Sequence, residues 1–284
     1  MIKYLLFTLI LSSSLYAEEK ITGNVEYSFL KGDDFGKSSS VGGELFYYQF
    51  SFLYEYQRLT DTEDSKTKSV TVGLAMDLPF YTNIGFDFAR TEEPDDIFRQ
   101  TWKIKASKSA MIISDLVSSF SFYYGQSSIE QENDPLFQIT EALNRPNSVR
   151  PVIENFYSIS LNQEIIYDLY IGVLYSKYKY DIDPLEATTF RITEAPFFNV
   201  RTYVYNFLDH SYSLFSAYYY KKLSITFSYG YDITVLNDVY THSYDLIFDY
   251  NVFKKVTLGL NFGMTKEKSQ DRSNTIGFSL SLDF

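Results

Sequence analysis

Apolar and polar side chains alternate one by one along most of this chain. Ile21, Gly23, Val25, Tyr27 and Phe29 occupy one parity, and Thr22, Asn24, Glu26 and Ser28 the other. The alternation runs on through Val70, Val72, Leu74 and Met76, through Ile84, Phe86 and Phe88, and through Trp102, Ile104 and Ala106. It returns in Leu223, Ile225, Phe227, Tyr229 and Tyr231, then in Val256, Leu258, Leu260, Phe262 and Met264. It closes with Ile276, Phe278, Leu280, Leu282 and Phe284. A period of two puts successive side chains on opposite faces of an extended backbone, so each segment predicts a strand with one apolar and one polar face. The segments run to about ten residues, the length a tilted strand needs to cross a bilayer.

Connections of two kinds separate the strands. Short ones fall near Tyr47-Tyr48, residues 79–83, 109–114 and 164–167, Lys221-Lys222 and residues 251–254. Longer polar ones cover 31–40, 60–69, 92–98, 127–151, 181–200, 234–241 and 266–273. This alternation fits an up-and-down barrel with short turns on one side of a membrane and long loops on the other. All seven prolines lie in connections, as the missing N–H requires of a closed ladder.

Two places decide the strand count. Residues 41–59 contain no Pro, Asn or Asp, yet reading them as one strand makes the total odd, so a turn is placed near Tyr48. Residues 200–220 are read as one long strand rising above the membrane. The fold class is then all-β: a transmembrane antiparallel up-and-down β-barrel of about fourteen strands, with twelve as the alternative.

The last strand resembles the terminal strand of Gram-negative outer-membrane β-barrels of the porin-like kind, in which apolar residues at every second position lead to a final Phe. The resemblance implies an assembly signal in Phe278, Leu280, Leu282 and Phe284, read by the barrel-assembly machinery, and surroundings of outer-membrane lipids and lipopolysaccharide. The other end agrees. Lys3 gives a positive start, residues 4–11 are apolar apart from Thr8, and Leu15-Tyr16-Ala17 offers a cleavage site before Glu18. That is the layout of a secretory signal peptide. A signal at 1–17 and a single barrel domain at 18–284 are expected.

Composition narrows the picture. Aromatic residues make up 19% of the chain, yet mean hydropathy is only −0.18, as suits strands with one face in lipid and the other in water. No later segment is apolar enough for a membrane helix. There is no Cys, hence no disulfide and no thiolate metal site. No cofactor or metal is expected. A net charge of −11 argues against nucleic acid as a partner, because phosphates need a basic stripe.

Polar parity defines the inward face. It carries Glu26, Glu44, Glu55, Asp77, Asp87, Asp232, Asp245, Asp249 and Asp283 against Lys103 and Lys105. Carboxylates in an aqueous lumen attract cations, so an open pore for small solutes or ions is expected to prefer them. Small inward residues such as Gly73, Gly125, Gly172, Gly230 and Gly259 are expected to leave space. Loops 127–151 and 181–200 are candidates to narrow the pore. The acid runs Asp61-Thr62-Glu63-Asp64 and Asp95-Asp96 suit either a solvated face or divalent ions bridging lipopolysaccharide. Tyr47, Tyr48, Tyr54, Tyr56, Tyr123, Tyr124, Tyr178, Tyr180 and Tyr218–Tyr220 are expected in aromatic girdles.

Other function classes remain open at this point. One is a structural or surface-contact barrel with a plugged lumen. Another is an outer-membrane lipid-modifying hydrolase, which needs a His and a Ser in hydrogen-bond reach. Only His210 and His242 are present, and the adjacent Ser211 and Ser243 point to the opposite face of a strand. A passive diffusion channel is the leading expectation.

Overall fold

Strands form at every segment that the alternation marks. In this computed structural model the described residues are 21–284 apart from 34–35, 61–65, 94–96, 114–115, 132–151, 182–192, 195–203, 206–207, 235–239 and 269–271. The strands are β1 (Ile21–Gly32), β2 (Gly36–Tyr47), β3 (Phe50–Thr60), β4 (Lys66–Leu78), β5 (Thr82–Glu93), β6 (Ile97–Ile113), β7 (Leu116–Gln131) and β8 (Val152–Ile166). There follow β9 (Leu169–Tyr180), the short β10 (Thr193–Glu194) and β11 (Val204–Tyr205), β12 (Leu208–Tyr220), β13 (Leu223–Thr234), β14 (Tyr240–Phe253), β15 (Val256–Glu267) and β16 (Arg272–Asp283). β10 and β11 pair only with each other, and the other fourteen close into one antiparallel barrel in which β1 pairs β16. Closure satisfies the backbone of every strand, the condition for crossing hydrocarbon without helices.

The exposed apolar side chains identify the outer surface. Phe52, Leu74, Phe86, Phe122, Leu161, Val173, Leu260 and Ile276 are all exposed, and all lie on the parity assigned to lipid. Cross-strand partners share a face, so the register carries this assignment around the barrel. The polar parity points inward.

The turn at Tyr48 forms where strand parity required it, between β2 and β3. Most other turns on that side are also tight, and Tyr48, Phe80, Tyr81, Asp168 and Lys221 take positive φ there. Several assignments change, and the loops read at 60–69 and 266–273 shorten because β4 begins at Lys66 and β15 runs to Glu267. The loop read at 31–40 shrinks, because β1 and β2 stay paired up to Gly32 and Gly36. Polar side chains on both faces look like loop, but the ladder needs only backbone groups. Residues 200–220 are not one strand, since β12 begins at Leu208 and Val204–Tyr205 belongs to the separate pair. β6 runs to Ile113 and β7 to Gln131, so those strands outlast the alternation that revealed them.

Candidate pore interior

All ten lumen candidates lie on the inward face. Glu26 on β1 is opposite Gly42, and Gly42 is opposite Glu55 on β3. Glu44 pairs Asn24. Asp87 pairs Lys103, and Lys105 pairs Gly85. Asp245 pairs Ser228, Asp249 pairs Ser224 and Asp232 pairs Thr241. Asp77 pairs Asn83.

Four of these groups gather around two cavities. A cavity of about 430 Å³ holds Glu26 and Asp249, with Ser224, Asn261, Ser279 and Ser281 in its wall and Lys221 and Lys222 at its turn end. A second cavity of about 230 Å³ is lined by Glu26, Glu44 and Glu55. Glu26 belongs to both. Barrel closure makes this group: β1 and β14, remote in sequence, are separated only by β16 and β15 around the wall.

Most of the remaining candidates are engaged elsewhere. Lys103 Nζ is 2.8 Å from Asp87 Oδ2, so the two charges largely cancel. Lys105 lies over the Tyr123 ring at 5.8 Å. Asn83 donates to Asp77 at 2.8 Å. Asp245 is buried and accepts from Ser228 at 3.2 Å. Asp232 lines neither cavity.

The half of the barrel nearer the longer connections holds a group that the sequence did not reveal. Arg99 points inward from β6, its Nη1 3.7 Å from Glu154 and its Nε 3.9 Å from Glu93. Glu154 is 1% exposed; Ser127 donates to it at 3.1 Å and Tyr180 at 2.9 Å. The Tyr180 hydroxyl also lies 2.9 Å from the Leu208 carbonyl, tying the top of β9 to the start of β12. Phe156, Tyr178 and Leu208 pack beside it. Arg99 and Glu93 adjoin a connection in the chain, and both look like ordinary loop charges there. Their inward parity becomes visible only once the strands extend past the apolar stretch.

The inward glycines are floors under neighbouring side chains, which corrects the expectation of empty space. A Cβ at Gly125 would strike the Phe156 ring, one at Gly172 the Phe215 ring, and one at Gly73 the Asp87 carboxylate. The tyrosine girdle is also corrected. Tyr123, Tyr178, Tyr180 and Tyr219 lie on the inward parity, whereas Tyr54, Tyr56, Tyr124, Tyr218 and Tyr220 lie outward. Tyr175, Tyr212, Tyr229, Tyr231 and Tyr244 cluster outward instead, ring against ring with His210 and His242. His210 Nδ1 is 2.6 Å from Asp209, and His242 Nδ1 is 2.8 Å from the Tyr229 hydroxyl. Ser211 and Ser243 face inward, so neither shares a face with its neighbouring imidazole. The acid runs at 61–64 and 95–96 and most of loops 127–151 and 181–200 lie outside the described residues.

No protein-family model and no curated protein matches this chain. In structure it is similar to the CymD monoaromatic hydrocarbon channel, with TM-score 0.52 and 7% identity over 94% of this chain and 88% of the other. OprD of Pseudomonas aeruginosa gives TM-score 0.52 and 7% identity over 93% and 94%. A loop L8 deletion mutant of OmpT, an outer membrane protein of Vibrio cholerae, gives 0.50 and 11% over 93% and 98%. Fourteen antiparallel strands closed on themselves, apolar outside and polar inside, give this chain the fold of the outer-membrane porins.

Proposed function

We propose that the chain is a passive diffusion channel for small hydrophilic solutes in a bacterial outer membrane, with a preference for cations. The observation carrying this reading is the pair of cavities that share Glu26 and whose wall carboxylates are Glu26, Glu44, Glu55 and Asp249, with Lys221 and Lys222 confined to the turn end and the inward Lys103 engaged by Asp87. Carboxylates aimed into a shared aqueous space raise the local cation concentration and repel anions. On this reading residues 1–17 direct export, and the terminal strand addresses the chain to the assembly machinery.

The test is a planar bilayer with the refolded protein and a potassium chloride gradient. Stepwise conductance with a reversal potential on the cation side is expected. Glu26→Gln with Asp249→Asn should move that potential toward zero. An anion-side potential, or no change in the double variant, rejects the cation preference.

A second reading is favoured by the packed extracellular half, where Ile129, Ser158 and Ser176 on the inward face have no exposed surface. There the barrel is a closed wall that presents loops, and the bilayer stays silent.

A further inference from the structure

The register gathers directly paired basic residues onto one side of the barrel's outer rim; elsewhere the outward Arg90 stands beside Glu92 and Lys177 beside Asp209. On six consecutive wall strands, β15, β16, β1, β2, β3 and β4, the extracellular ends carry Lys266, Arg272, Lys31, Lys37, Arg58 and Lys68. All six are exposed and all lie on the outward parity. They are direct cross-strand partners two by two: Lys266 with Arg272, Lys31 with Lys37, and Arg58 with Lys68. Like charges placed directly opposite on a sheet destabilise it. Three such pairs side by side form an arrangement that the barrel alone would not favour.

Among the described residues, these six strands carry no outward Asp or Glu to relieve it. Lys68 reaches Glu92 on the next strand at 3.5 Å. Asp33, in the hairpin above, is held by Asn274 at 3.2 Å. The height of the belt is set by the side chains beneath it. Phe29 lies two residues below Lys31, Val70 two below Lys68 and Met264 two below Lys266, all on the lipid-facing parity. Two residues of strand span about 7 Å, so Lys31, Lys68 and Lys266 stand just above the apolar band, where headgroups begin, while Ser39 and Asn274 lie between that band and Lys37 and Arg272. The rim changes in kind where the belt ends: on β9, β12, β13 and β14 Tyr175, Tyr212, Tyr231 and His242 form the ring cluster, and His242 is the direct cross-strand partner of Lys266.

We propose that this belt binds the phosphate groups of an acylated anionic lipid of the outer leaflet, seated on one side of the barrel only. The acyl chains would lie on the apolar strand faces below, and the phosphates would bridge the paired cations. Chemistry and continuity both point to a lipid: a soluble anion would use the charges and leave the adjoining apolar face without a role. The inference needs only the outward face to be in the membrane, and it stands whether or not the barrel conducts.

The test uses the refolded full barrel in neutral detergent. Lipid A bearing its phosphates, dephosphorylated lipid A and inorganic phosphate are each added while thermal unfolding and binding are measured. Phosphorylated lipid A should bind at least about ten-fold tighter than the dephosphorylated form and raise the melting temperature, and inorganic phosphate should do neither at equal concentration. A quadruple variant (Lys31→Gln, Lys37→Gln, Lys266→Gln, Arg272→Gln) should lose that preference and, without lipid, melt no lower than the parent, since repulsion has been removed. Lys221→Gln with Lys222→Gln, at the opposite end of the barrel, should keep it. Equal binding of both lipids, equal stabilisation by inorganic phosphate, or an unchanged preference in the folded quadruple variant would overturn the proposal. Loop acids neutralising the belt would produce that last outcome.

Discussion

Phe284, the last residue, exchanges both backbone hydrogen bonds with Gly23 near the start of β1. Its N–H donates to the Gly23 carbonyl at 2.9 Å, and the Gly23 N–H donates back at 3.1 Å. A Cβ on Gly23 would stand 2.9 Å from the Phe284 ring and 2.5 Å from the Glu44 carbonyl. The terminal ring therefore lies across a notch that only glycine supplies. The two ends of the barrel are fastened there.

Gly23→Val should displace that ring and loosen closure, at a cost of about 1–3 kcal/mol for forcing side-chain volume into a filled site. Urea unfolding of the refolded barrel measures it. Deleting Phe284 should deplete the protein from the outer-membrane fraction of cells more than it lowers stability in detergent. Equal losses in both would argue against a recognition role for the last residue.

The Arg99 group gives a second expectation. Removing the guanidinium leaves Glu93 and Glu154 facing each other in a buried site, which costs about 3–5 kcal/mol when a buried pair loses one partner. Arg99→Met should therefore lower stability sharply. Adding Glu154→Gln should return part of it, because less charge is then left without compensation.

Lys103 and Asp87 offer a test of charge balance in the interior. Lys103→Met removes the cation beside Asp87 and should strengthen cation preference, whereas Asp87→Asn removes the carboxylate beside Lys103 and should weaken it. Reversal potentials in the bilayer read both changes. Shifts of the same sign in the two variants would show that this pair does not face the conducting path.

Lys221 sits at φ 55° in the turn between β12 and β13, a conformation costing a side-chain-bearing residue roughly 1–2 kcal/mol. Lys221→Gly should recover about 1 kcal/mol of that in denaturant unfolding. No gain would mean that the Lys221 cation over the Tyr220 ring, at 5.1 Å, offsets the strain.

Gly172→Val should be among the most damaging single changes on the inward face. The new side chain would meet both the Phe215 ring and Asn162, and the expected loss is about 1–3 kcal/mol, read as a lower melting temperature.

Alternation by itself determined the strand class, the lipid-facing parity and the inward position of Glu26 and Asp249, because a strand's side chains answer only to a period of two; Glu44 and Glu55 needed the register of β2 and β3. Even parity was enough to place the turn at Tyr48, where no turn residue marks it. Other features lay beyond that rule. Glu26 and Asp249 are far apart in the chain and meet only when β1 closes onto β16. Arg99 finds Glu154 across β7, because the strands run past their apolar segments. The floors at Gly125 and Gly172 hold rings contributed by neighbouring strands. Each of these depends on which residue sits beside which across the wall, and pairing between strands is a property of register and closure, set by the whole cylinder and by no single segment.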